Sequence, residues 1–165
     1  MKLLIAACGI TVMFAADVLA QAPKYGVKVM PEKGVNYAAF KTYSWTQGQP
    51  SQDKQIDRAI VAAVDKEMSG LGMSKAASGP GDVLVTYYSL SRTDVNLKAK
   101  PDAAGNLPRY SVGTLVVGLL DTGTRKRLLR LRIDKPIEGD RSQLEGTINE
   151  AVAALFAQYP TRTKK

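Results

Sequence analysis

The sequence contains no histidine and a single cysteine, Cys8, among its 165 residues. Histidine and cysteine supply most zinc ligands and the imidazole or thiol of common catalytic dyads and triads. Their absence excludes a zinc site of the Cys/His type, an imidazole-dependent triad and a cysteine nucleophile from everything after residue 8. It also excludes an internal disulfide, although an exported protein would be free to form one.

Acidic residues are scarce as well, since 15 Asp and Glu are present against 23 Lys and Arg, a net charge of +8. Residues 125–135 hold six basic residues and one acidic residue, which gives a local charge of +5. We expect this basic hairpin to bind an anionic partner, either an envelope protein, an anionic lipid or lipopolysaccharide. The alternative is that these charges only solvate a strand and protect a sheet edge. The candidate residues are Arg125, Lys126, Arg127, Arg130, Arg132 and Lys135.

The longest apolar run lies at the N-terminus, over residues 3–16. As a helix it would span about 21 Å, too short for a hydrocarbon core of about 30 Å. Small residues at 18 and 20 precede Gln21 in the pattern of a signal-peptidase site. We therefore predict a signal peptide over 1–20, cleaved between Ala20 and Gln21, export to the periplasm and no transmembrane span in the mature form.

An alternative N-terminal processing centres on Cys8. The stretch Ile5-Ala6-Ala7-Cys8 is similar to a bacterial lipobox, in which the cysteine is lipidated and becomes the new N-terminus. Only seven residues precede Cys8, which is short for a charged region followed by an apolar one. Lipidation there would make the protein an outer-membrane lipoprotein.

Hydrophobic periodicity predicts an α+β fold. We expect a mainly antiparallel sheet of about five strands, in the order β-β-α-β-β-β-α, covered by two amphipathic helices. One domain would occupy residues 25–160, between a short linker at 21–24 and a basic tail at 161–165. Strands are predicted at 25–29, 40–46, 82–91, 111–120 and 126–134, and helices at 53–71 and 142–159.

The segment from Thr93 to Arg109 has two prolines and no periodicity. Its seventeen residues exceed the usual length of structureless connections in compact domains, about 12–15 residues. Loops of this length are often functional. Lys98, Lys100 and Arg109 therefore form a second candidate site for an anionic partner.

Carboxylate chemistry is the remaining catalytic option. Asp82, Asp121 and Asp134 lie at predicted strand ends, where a cleft could gather them into the site of a small periplasmic hydrolase or lyase. Aspartates at strand ends more often make local hydrogen bonds in turns. We therefore expect a non-enzymatic protein with no cofactor and no metal. Nucleic acid is not an expected partner, because the basic stretch lacks interleaved aromatic residues.

Four landmarks point to a known family. They are "FKTYSW" at 40–45, "GDVLVTYY" at 81–88, "YSVGTLVVGLLD" at 110–121 and the closing Tyr159-Pro160. Together they resemble the bacterial domain of unknown function family 4136, over roughly residues 25–160. The resemblance implies an exported, often lipidated envelope protein and carries no activity with it. The chain departs from the family at its return strand, where a tryptophan and a glycine are common and this sequence has residues 128–131, "LLRL".

Overall fold

The computed structural model describes residues 26–137 and 141–162. The predicted signal peptide, Cys8 and the Ala20–Gln21 cleavage site lie outside these described residues. The regular elements of the described part are β1 Lys28–Pro31, β2 Thr42–Trp45, α1 Lys54–Gly70, β3 Ser74–Lys75, β4 Val83–Val95, β5 Arg109–Asp121, β6 Arg127–Pro136 and α2 Leu144–Ala157.

The strands form one sheet in the order β1-β6-β5-β4-β2-β3. The pairs β1–β6, β6–β5 and β5–β4 are antiparallel, whereas β2 is parallel to both β4 and β3. The fold is thus α+β with two helices, as predicted, but the sheet is mixed and has six strands instead of about five. The parallel pairing arises because the chain crosses from β2 to β4 through α1, and such crossovers return in the same direction. Strand β3 has only two residues, too few to produce a sequence pattern.

Helix α1 begins where the sequence predicts, because Asp53 caps it. The Asp53 carboxylate accepts hydrogen bonds from the backbone N–H groups of Gln55 and Ile56 at 2.9 and 3.4 Å, which satisfies donors that the first turn leaves unpaired. Its apolar stripe is buried against the sheet, and Val64 and Met68 are fully inaccessible to solvent. Helix α2 packs beside α1 and buries its own stripe, centred on Phe156, on the same face of the sheet.

The opposite face of the sheet, here called the open face, is not covered by any helix or strand of the described residues. Strand β5 is apolar on both sides, a pattern usual in strands that are covered on both faces, so the uncovered side is unusual for its sequence. Leu84 and Val116 lie on the open face and are nevertheless only 5% and 8% exposed. At one end of this face, the guanidinium of Arg125 extends from the β5–β6 turn to the hydroxyl of Thr46 at 2.8 Å.

Strands β4 and β5 extend beyond the rest of the sheet as a hairpin, and residues 91–111 are called the arm. The ladder continues through the pairs Thr93–Ser111 and Val95–Arg109, so the expected structureless connection over 93–109 is shorter and spans only 96–108. The hydrogen bonds of the arm join backbone groups and need no alternation of apolar and polar side chains. The sequence pattern therefore did not predict that β4 and β5 continue into this segment.

Candidate anion-binding surface

The sheet divides the basic hairpin into separate groups. Leu129 and Leu131 point into the core and are almost fully buried, so Arg130 and Arg132, which alternate with them, lie on the open face. Lys135 lies on the helix side instead, with its Nζ 3.7 Å from Glu150 Oε2 of α2. The six basic residues therefore do not form a single surface.

The β5–β6 turn holds the other three basic residues of the hairpin. Arg125 adopts a positive φ of 58°, and its backbone N–H donates to the carbonyl of Asp121 at 2.9 Å. Lys126 and Arg127 follow it, and both are exposed at the start of β6. These cations lie at the end of the sheet, beside the open face.

Strand β1 adds a cation that the sequence reading did not single out. The antiparallel register places Lys28 opposite Arg132 and Met30 opposite Arg130, so all four side chains share the open face. We call Lys28, Met30, Arg130 and Arg132 the open-face cluster. Directly opposed side chains have Cβ atoms about 4.5–5.5 Å apart, and like charges at that distance repel. The register therefore places two positively charged side chains, Lys28 and Arg132, next to each other on the open face.

One carboxylate offsets part of this charge. Asp134 accepts two hydrogen bonds from Arg132, from Nε to Oδ2 and from Nη2 to Oδ1, each at 2.9 Å. Its Oδ1 also accepts from Arg92 Nη1 at 3.0 Å and from the Thr114 hydroxyl at 2.6 Å. Hydrogen bonding from Arg132, followed by that from Thr114 and Arg92, holds the pKa of Asp134 well below its usual range. Within residues 26–137 and 141–162, Lys28 and Arg130 have no carboxylate at ion-pair distance.

Removing this carboxylate is expected to destabilise the fold. We expect Asp134→Asn to lower the free energy of unfolding at neutral pH by about 1.5–3 kcal/mol, because two guanidinium groups lose a charged acceptor. The folded pKa of Asp134 is depressed, so its contribution is present above the unfolded value of about 3.9 and is lost as the pH falls toward the folded value. Urea unfolding of both proteins from neutral to acidic pH would check this, and the two curves should converge in acid. A constant difference down to the lowest pH would contradict it.

A cleft of about 770 Å³ lies on the other side of the sheet, under the N-terminal ends of α1 and α2. Three small residues, Ser89, Ser91 and Gly113, line the bottom of this cleft. They leave space because the neighbouring positions of the sheet carry larger side chains. Its described lining contains one charged side chain, Lys135, and no carboxylate. The size falls within the range of small-molecule sites, about 300–1,000 Å³, but the lining offers no acid–base pair.

The three candidate catalytic aspartates do not meet. Asp82 accepts from the backbone N–H groups of Lys41 and Thr42 at 2.8 and 2.9 Å, and Asp121 accepts from the backbone and hydroxyl of Thr124. Asp134 lies opposite Thr114 of β5. Thr114 is seven residues from Asp121 along β5, so Asp134 and Asp121 are about 23 Å apart along the strand. Among the described residues, no group of three acidic side chains could hold a metal ion.

The second candidate set lies away from the open-face cluster. Lys98 and Lys100 are in the loop at the tip of the arm, and Arg109 is the first residue of β5. Strand β6 pairs with β5 only from Val112 onward, so the tip extends beyond the end of β6. The structure does not join these three residues to Arg130 and Arg132.

Sequence reasoning missed Lys28 and Arg92 as parts of this surface. The alternation Lys28-Val29-Met30 does indicate that Lys28 and Met30 share one face of a strand. Their adjacency to Arg130 and Arg132 depends on a pairing across about a hundred residues, which no local pattern specifies. Arg92 falls between the strand predicted at 82–91 and the loop expected at 93–109, and the structure places it in β4.

No helix in the described part of the chain is long and apolar enough to span a membrane. A comparison with curated proteins gave no significant match. Among solved structures, the chain is similar to a PDZ domain protein from Parabacteroides distasonis ATCC 8503, with a TM-score of 0.59 and 16% identity, over 84% of this chain and 36% of that one. The chain thus spans about a third of the length of that protein.

A second similar structure is PelC from Paraburkholderia phytofirmans, crystallised as a dodecamer. The TM-score is 0.56 at 10% identity, over 86% of this chain and 99% of that one. At these identities both likenesses establish a shared fold alone. The family model described as Domain of unknown function (DUF4136) matches residues 27–161, nearly the whole of the described structure. The chain therefore belongs to the DUF4136 family.

Proposed function

We propose that this protein is a non-enzymatic domain of the bacterial envelope that binds anionic lipid headgroups through the open face of its sheet. The observation that carries the proposal is the β1–β6 register, which gathers Lys28, Arg130 and Arg132 on a face that no helix of the described residues covers. The N-terminal segment 1–20, read as a signal peptide, would deliver the mature chain to the periplasm, where such headgroups are present.

The mixture of charge and apolar surface within the cluster supports a lipid surface as the partner. Met30 is 52% exposed between the cations, and an apolar side chain surrounded by Lys and Arg is suited to the boundary between headgroups and acyl chains. Each basic residue near an anionic membrane contributes about 1 kcal/mol. Lys28 and Arg130, which have no carboxylate at ion-pair distance among the described residues, would together with Arg125 give about 3 kcal/mol, a weak and reversible attraction.

Co-sedimentation with vesicles tests this function. We expect binding to vesicles of phosphatidylglycerol and phosphatidylcholine at low salt, a large decrease at high salt and little binding to phosphatidylcholine alone. The salt effect follows because exposed charges are screened beyond about 8 Å at physiological ionic strength and about 3 Å at 1 M. Equal binding to both vesicle types, or binding that does not change with salt, would contradict the proposal.

A further inference from the structure

Along the arm, the outer edge of β4 has no partner strand among the described residues. Along the body of the sheet this edge is occupied, since the Val85 carbonyl accepts from Thr46 N–H at 2.8 Å and Ser89 N–H donates to the Gln49 carbonyl at 3.0 Å. Alternate residues of a strand direct their backbone groups to the same side. Ser91, Thr93 and Val95 therefore direct theirs to this edge, and no strand in the described part of the chain pairs with them.

Exposed apolar side chains are concentrated in the same region. Seven large hydrophobic side chains of the described residues are exposed, and four of them, Leu90, Val95, Leu97 and Tyr110, lie on the arm or at its base. Leu97 is the most exposed, at 81%. A free strand edge beside exposed apolar side chains is a template for pairing with another chain.

We propose that the β4 edge pairs with the same edge of a second copy, antiparallel about a twofold axis at Thr93. In this register Thr93 lies opposite itself, and Ser91 lies opposite Val95 of the second copy. Arg92 and Asp94 already form an ion pair within one chain, with Nε and Oδ1 3.0 Å apart. In the proposed register Arg92 lies opposite Asp94 of the second copy and Asp94 opposite Arg92, so the symmetry joins the two intrachain pairs into one group of alternating charges across the interface.

Charge selects this register over its neighbours. An axis at residue 92 would oppose two arginines, and an axis at residue 94 would oppose two aspartates, and directly opposed like charges destabilise a strand pair. The axis at Thr93 is also the one that uses the outward backbone groups of residues 91, 93 and 95. Charge complementarity and hydrogen-bond geometry therefore agree.

The same register brings the tip of the arm to the cleft of the second copy. Position 97 falls at the level of Ser89 of the second copy, where Gln49 and Pro50 line the cleft. This places the highly exposed Leu97 at an apolar site. The proposal is independent of anion binding, because the cations of the open-face cluster are not in the paired edge.

Cysteine cross-linking tests the register in the full chain carrying Cys8→Ser, which leaves the introduced cysteine as the sole thiol. In Thr93→Cys the two Cα atoms would be about 5.5 Å apart, within the range for a disulfide, about 4.4–6.8 Å. We expect a covalent dimer on mild oxidation. The matched variant Ser91→Cys would hold its two Cα atoms about 13 Å apart, and it should remain monomeric on a reducing-agent-free gel.

Analytical ultracentrifugation tests the association itself. We expect a concentration-dependent dimer whose Kd rises at least about tenfold in Thr93→Lys, which opposes two ammonium groups. The control Ser111→Lys adds the same charge to the same sheet face one strand inward and should leave the Kd unchanged. A protein that remains monomeric at all concentrations would overturn the proposal. A dimer that is equally sensitive to both lysines, or that cross-links equally through residues 91 and 93, would also overturn it, and would indicate another interface or a foreign peptide as the natural occupant of the edge.

Discussion

Replacing Phe156 with alanine is expected to lower the free energy of unfolding by about 3–5 kcal/mol, the usual cost of truncating a buried aromatic side chain. The side chain is fully inaccessible, and its ring stacks on that of Tyr159 with centroids 6.3 Å apart. Tyr159 in turn meets the ring of Tyr37 edge-on at 5.9 Å. The substitution therefore leaves a cavity and also removes one ring from an aromatic chain that links α2 to the segment after β1.

Urea unfolding monitored by circular dichroism would measure this effect. We expect the midpoint to fall with little change in the slope, since the surface exposed on unfolding is nearly the same. Phe156→Leu, which keeps most of the volume, should cost much less. Gln158→Ala, at the exposed position that follows the last residue of α2, should stay within about 0.5 kcal/mol of the parent. If Phe156→Ala were as stable as Gln158→Ala, the packing of α2 described above would be incorrect.

Burial of Tyr159 has a consequence for its own ionisation. Desolvation raises the pKa of the Tyr159 phenol to about 12. Its hydroxyl has no hydrogen-bond partner among the described atoms, so the contacts of this side chain in the described structure are those of its ring with Tyr37 and Phe156. Tyr159 of the closing Tyr-Pro is thus part of the core and not of the candidate binding surface.

Local patterns were sufficient to predict the helices. Asp53 and the apolar residues that follow it at helical spacing specify where α1 begins and which side is buried. Strand β6 was likewise predictable, because Leu129 and Leu131 alternate with arginines. In each of these elements, the residues that predict the structure lie within a few positions of the structure that they predict.

The sheet order and the binding surface depend on contacts distant in sequence. Lys28 and Arg132 lie opposite each other on paired strands. The interaction free energy between them exists only when both strands are in place. For the same reason, the sequence predicted one basic site in the hairpin, whereas the structure separates its residues. Charge counted along the chain does not distinguish Arg130, on the open face, from Lys135, on the helix side.

The largest expected functional effect comes from the double variant Lys28→Glu/Arg130→Glu, which reverses the two cations of the open-face cluster that have no ion-pair partner among residues 26–137 and 141–162. Removing two basic residues costs about 2 kcal/mol of membrane attraction, and reversing them about twice as much. Because this loss exceeds the attraction of about 3 kcal/mol that Lys28, Arg130 and Arg125 provide together, binding to anionic vesicles should fall below detection. Neither residue has a carboxylate partner in the described structure, so folding should be little affected, and thermal unfolding would verify this.

A matched control comes from the tip of the arm. The variant Lys98→Glu/Lys100→Glu changes the net charge by the same amount, but both positions lie in the loop beyond the end of β6. If only overall charge attracts the protein to the vesicle, the two variants should lose affinity equally. If the open face makes the contact, the arm variant should retain most of the affinity of the parent.

Vesicle affinity of these two double variants, measured side by side with the parent at low salt, tests binding by the open face most directly. We expect the Lys28/Arg130 variant to lose nearly all binding to phosphatidylglycerol vesicles and the Lys98/Lys100 variant to lose severalfold at most. Equal losses in the two variants, or parental affinity in the Lys28/Arg130 variant, would contradict it.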